Sequence, residues 1–164
     1  MKRDCAILLV ESAGFFVKND GQKRHDFGQK IHDENNKIYD VKQKIHNEKT
    51  AAENYFSERF YPVKVFTGYA GKKDIRRIKM EYGVKLDPVQ DVLEEIKTLG
   101  YMYTYVLPVF DVRSPDFDEL KGEIDTRVSY GCFADIIMAE GIEFEEIHHD
   151  PLSMLAEKLE EIML

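Results

Sequence analysis

Three acidic residues far apart in the chain, Glu11, Asp125 and Asp150, are placed where carboxylate chemistry could be done. Glu11 closes the apolar run Cys5–Val10, "CAILLV". Asp125 falls in the first turns of a helical pattern that follows an aromatic strand pattern and its loop. Asp150 opens the last helical pattern. In an open parallel sheet the ligand crevice lies beyond the carboxyl ends of the strands, and all three acids are expected near that edge. Carboxylates gathered there would hold Mg2+ or Mn2+ through oxygen ligands and water, and the ion would activate a water for attack on a phosphodiester. Each acid also has a plainer reading: a strand can end at a glutamate, and Asp150 before Pro151 is a good helix cap. Asp135 lies ten residues past Asp125, about 15 Å along a helix axis, so those two cannot share an ion.

The segment "GKKDIRRIK", residues 71–79, is the candidate phosphate binder. Lys72, Arg76 and Lys79 share one helical face, with Lys73 and Arg77 alongside. Such a row neutralises backbone phosphates in a salt-dependent way; a solvated helix on the back of a sheet is the equal alternative. The net charge of −8 is unevenly spread, +3 over residues 1–108 and −11 over 109–164. One part of the chain can therefore meet phosphates while the other collects cations, or the acidic part is simply solvated. "GYAGKKD" at 68–74 has too few residues between its glycines for a phosphate loop, and Lys73 stands where a Ser or Thr should be. No GxGxxG, CxxC, HExxH or GxSxG occurs. His148 and His149 lack a third zinc ligand at usual spacing. His32 and His46 would lie about 21 Å apart on one helix and cannot share an ion.

These residues need elements to position them. The 164-residue chain is long enough for one domain with a real core. Apolar and aromatic runs predict strands at 5–11, 61–67, 101–107 and 142–147. Capped, periodic segments predict helices at 87–99, 119–139 and 150–163. Alternation of this kind specifies a parallel sheet flanked by helices. Residues 20–59 differ: QKIH occurs at 29–32 and again at 43–46, and Ile31, Ile38 and Ile45 repeat every seven, with Val41 between. That narrow seam predicts a long polar helical arm, packing on a partner protein, on a second copy of the chain, or on the turns that follow. No apolar stretch is long enough to span a bilayer. The short run after MKRDC makes no signal peptide, and Cys5 and Cys132 suit reduced thiols, so a cytoplasmic location is expected.

The order of these pieces resembles the NYN domains, a PIN-like family of metal-dependent ribonucleases. The corresponding stretches are Val10-Glu11-Ser12-Ala13-Gly14-Phe15-Phe16, "YPVKVFTGY", "LGYMYTYVLP" and Lys121-Gly122-Glu123-Ile124-Asp125. The resemblance covers most of the chain outside 20–59. It implies a Rossmann-like (PIN-like) α/β fold with an open, mainly parallel sheet of four or more strands. It further implies Mg2+- or Mn2+-dependent hydrolysis of RNA, with Glu11, Asp125 and Asp150 as catalytic and metal-holding acids. Lys121 would join Lys72, Lys73, Arg76, Arg77 and Lys79 on the RNA. The chain departs from the family pattern in four places. Glu11 replaces an Asp, and Gly14 stands at the Asn position. Tyr130 or Gly131 falls where a second helix acid belongs, and His149-Asp150-Pro151-Leu152 is a remnant of the last acidic element. Catalysis weakened or lost is one consequence; the alternative is a non-catalytic adaptor of the same fold, acting through residues 20–59 as a dimer or on a partner protein.

Overall fold

The computed structural model describes residues 4–17, 27–129, 135–143 and 150–163. Strand β1 (Cys5–Ser12) is buried from Cys5 to Glu11, as expected of a strand covered on both faces. It pairs in parallel with β2 (Lys64–Ala70) on one side and with β3 (Tyr103–Pro108) on the other. β3 pairs in parallel with β4 (Asp135–Met138), giving a four-stranded sheet of order β2-β1-β3-β4. Helices α1 (Phe27–Arg59), α2 (Lys72–Tyr82), α3 (Val89–Thr98), α4 (Pro115–Ser129) and α5 (Pro151–Met163) complete an α/β, Rossmann-like architecture.

The pleat of β1 sorts the core into two layers, because successive side chains leave a strand on opposite faces. Ile7 and Leu9 pack with Phe56 of α1 and with Leu155 and Leu159 of α5. Ala6, Leu8 and Val10 pack with Val92, Leu93 and Ile96 of α3 and with Leu120 and Ile124 of α4. A third cluster joins the short 3-10 turn Ala13–Phe16 to α1 and α2 through Phe16, Val41, Ile45 and Ile78. Arg59 ties α1 to Glu160 of α5 at 2.8 Å, and Arg127 ties α4 to Glu94 of α3 at 2.7 Å.

The structure departs from the sequence reading in three places. The expected arm is, from residue 38 onward, the crossover helix itself: Val41 and Ile45 are buried on the 3-10 turn and α2, and Ala52 and Phe56 on the sheet. Of the alternatives for the seam, packing within the chain is the one found there; residues 20–26 and the side chains of 27–37 lie outside the described residues. The helix expected at 119–139 starts earlier and ends earlier. Ser114 accepts a hydrogen bond from the Asp116 amide at 3.2 Å and Pro115 takes the first position, a strong start signal four residues upstream. Ile136 and Ile137 then belong to β4, since a short apolar run suits either element and β-branched residues favour the strand. The expected strand at 142–147 is represented among described residues by a single bridge, Asp111 to Ile142, while 144–147 lie outside them along with Cys132, His148 and His149. Asp150 does cap α5, its Oδ1 accepting the Leu152 amide at 3.1 Å.

Candidate active site

From β1 the chain passes to β2 on one side, and from β3 it passes to β4 on the other. The carboxyl ends of β1 and β3 are therefore the switch point of the sheet, where open α/β folds place their ligands. A cavity of about 810 Å3 opens there, walled by the ends of both strands, the 3-10 turn, and parts of α1, α2, α4 and α5.

Glu11 and Ser12 end β1 side by side and, by the pleat, face opposite ways. Glu11 turns to the α1 side. It is only 6 % exposed, and its Oε2 meets no hydrogen-bond partner. Burial, then the negative charge of Glu48, pushes its carboxyl up to about 7; nearby Tyr69 and Lys49 pull the other way, and Glu53 adds to the rise. Tyr69 is its register partner on β2, and the two groups influence one another without meeting in hydrogen-bond geometry. Burial and the Glu11 charge hold the Tyr69 phenol well above its ordinary value, so it stays protonated. Glu53 is engaged separately, accepting the Thr67 hydroxyl at 2.6 Å.

Ser12 turns to the other side, where its hydroxyl donates to Asp116 Oδ2. Asp116 stands in the first turn of α4 and Asp74 in the first turn of α2, positions where the helix amides favour a negative charge. Two glycines let these carboxylates approach each other. A β-carbon on Gly71 would lie 3.3 Å from Asp116 Oδ1 and 3.5 Å from Asp74 Oδ2, and Gly71 has a left-handed φ of 94°. A β-carbon on Gly14 would stand 2.8 Å from Asp74 Oδ2. The result is a cradle of two half-buried carboxylates and a hydroxyl at the mouth of the cavity.

Mg2+ is commonly held by one or two carboxylates, with water and substrate phosphate completing the shell, and the Asp74–Asp116 cradle fits that form. The set expected from sequence is not assembled: among the described residues no three His, Cys, Asp or Glu side chains are grouped to hold an ion. Glu11 and Asp150 both line the cavity. Asp125 is exposed on α4, nine residues and about 14 Å beyond Asp116, and is not part of the lining.

The expected phosphate-binding residues lie beside the cavity. Lys72, Lys73, Arg76 and Lys79 are exposed on α2, the helix that carries Asp74 inward. Arg77 lines the cavity and pairs with Glu81 at 3.1 Å. Lys121 is exposed on α4. Phe15 lines the mouth with half its surface exposed (52 %), and Lys44 Nζ stands 4.2 Å from its ring centre. Sequence reasoning passed over Asp74, Asp116 and Ser12. Asp74 lay inside a segment read for its cations, and Asp116 inside a Ser-Pro helix start upstream of the expected one.

No family model matches the chain, and no match is found among curated proteins.

Proposed function

We propose that the chain is a PIN-like nucleic-acid-processing domain whose switch-point cavity hydrolyses phosphodiester bonds of RNA with a divalent cation. The observation that carries this reading is the approach of Asp74 and Asp116 around Gly14 and Gly71, with the Ser12 hydroxyl donating to Asp116. These residues would hold Mg2+ or Mn2+, which when bound supplies an activated water and stabilises charge on the phosphoryl oxygens.

The chain's own residues do the rest. Exposed Lys72, Lys73, Arg76 and Lys79 on α2 hold the RNA backbone beside the cavity by charge, and Lys121 does so from α4. Phe15 offers a ring face at the mouth on which an unpaired base can stack. Glu11, with its carboxyl near 7, is close to half protonated at neutral pH, the condition under which one group best accepts or returns a proton. Asp150 adds negative charge at the cavity wall while capping α5. Asp125 has no part in this arrangement.

The test is cleavage of a fluorescently labelled single-stranded RNA by the full chain with Mn2+. Cleavage that EDTA abolishes, with a pH profile whose limb near 7 disappears in Glu11→Gln, is expected. Cleavage that ignores EDTA, or none above background with the folded protein, contradicts the reading.

A further inference from the structure

Beside Tyr69 lies a second concavity, of about 270 Å3, distinct from the larger cavity. It sits between α1 and the segment 84–87, whose Asp87 carbonyl accepts the Tyr69 amide of the edge strand β2 at 2.9 Å. Three residues of α1, Lys42, His46 and Lys49, reach it at spacings of four and three, so they share one helical face. Lys85 closes it from the opposite wall, and Asp87 is its one acidic lining residue. Its base is apolar, with Ile45 and Leu86 both buried.

This clustering of cations calls for a cause. Lys42 and Lys49, seven residues and about 10.5 Å apart along α1, and Lys85 across the hollow bring like charges around one space, where they repel. The chain as a whole is acidic, with a net charge of −8. Among the described residues neither Lys42 nor Lys85 has a carboxylate at ion-pair distance, and Lys49 has only Glu53, at 3.9 Å. The positive charges are therefore gathered from two elements far apart in sequence around one hollow, and two of the three lysines have no carboxylate partner among the described residues. An anion bound between them would offset that repulsion and receive charge-assisted hydrogen bonds from several donors.

We propose that this hollow is an anion site for a small organic phosphate, its dianionic head held by Lys42, Lys49 and Lys85 and its apolar body resting on Ile45 and Leu86. The cationic rim selects the head. The apolar floor selects a ligand with a hydrocarbon or ring body over a bare ion, and the volume has room for a ring beside the phosphate. His46, on the same helical face, adds a ring N–H donor.

The experiment is calorimetric titration of the full chain with phenyl phosphate in ~150 mM salt, where surface attraction alone is screened over about 8 Å. Saturable one-to-one binding is expected. It should weaken about tenfold in Lys49→Gln and in Lys85→Gln, since each removes a charge-assisted hydrogen bond to the phosphate. Lys85→Arg should retain most of it, and Lys64→Gln, exposed at the start of β2, should leave it unchanged. Inorganic phosphate should bind more weakly than phenyl phosphate. Circular dichroism of each variant confirms that the fold persists. Absent or unsaturable binding by the wild type, or equal loss in Lys64→Gln and Lys85→Gln, overturns the proposal.

Discussion

Glu11 and Ser12 are neighbours in sequence, yet the strand sends them into two different environments. On the α1 side Glu11 is buried at the cavity wall, faced by Glu48 and Glu53, and left with one unpartnered oxygen. On the other side Ser12 meets Asp116 in a cradle that also admits Asp74 and remains open to the cavity. A buried lone carboxyl does best by keeping its proton, because the charged form is poorly solvated. A pair of half-buried carboxylates at helix N-termini, with a hydroxyl beside them, is suited to gathering a cation. On the proposed function, one residue of register separates a proton site from a cation site.

The largest expected effect falls on the cation side. Asp116→Ala removes one carboxylate and the acceptor of the Ser12 hydroxyl, and should lower Mn2+-dependent RNA cleavage about a thousandfold, the worth of several kcal/mol of charge stabilisation. Asp125→Ala should leave the rate within about twofold, on the scale of a surface substitution. Equal losses in the two variants, measured by initial rates, would erase the distinction.

On the proton side the expected signature is a pH dependence of stability. The folded chain holds the Glu11 proton up to about 7, whereas the unfolded chain releases it near 4.5. Folding is therefore favoured by acid, and the Glu11 contribution is fully present below about 4.5 and lost as pH rises through about 7. The loss amounts to about 3 kcal/mol at 1.4 kcal/mol per pH unit. Urea unfolding of Glu11→Gln should lack this decline, so that the variant matches or exceeds the wild type at pH 8. Parallel curves for the two proteins would mean that Glu11 ionises as an ordinary surface acid.

A smaller effect separates binding from both. Phe15 is exposed, and its removal should leave the fold intact while weakening a short single-stranded RNA about tenfold, the worth of one stacked base. Fluorescence anisotropy in EDTA reads this without any cation. Unchanged affinity would place the RNA elsewhere on the surface.

Much of the fold was legible because local signals agreed with one another. Six apolar residues before Glu11 could be little else than a central strand, and Asp150-Pro151 marked the start of α5 by chemistry that the structure retains. The stretch after β3 misled because two signals competed: the periodic Ile124 and Val128 extended a helix that the Ile136–Ile137 pair ends, and Val128 proves largely exposed. Val41 and Ile45 of the α1 seam are buried, but sequence spacing alone does not say which surface covers them. Legibility of the site followed the same rule. Glu11 could be found because it ends a strand. The Asp74–Asp116 cradle could not, since it exists only where two helix starts and two glycines meet in space.

Under the proposed function the cation belongs to the Ser12 side of β1 and not to the Glu11 side. The decisive measurement is Mn2+ binding to the full chain, followed by electron paramagnetic resonance at neutral pH. Wild type and Glu11→Gln should bind one Mn2+ with similar affinity, and Asp116→Asn should lose it. Retention by Asp116→Asn together with loss in Glu11→Gln would contradict the claim.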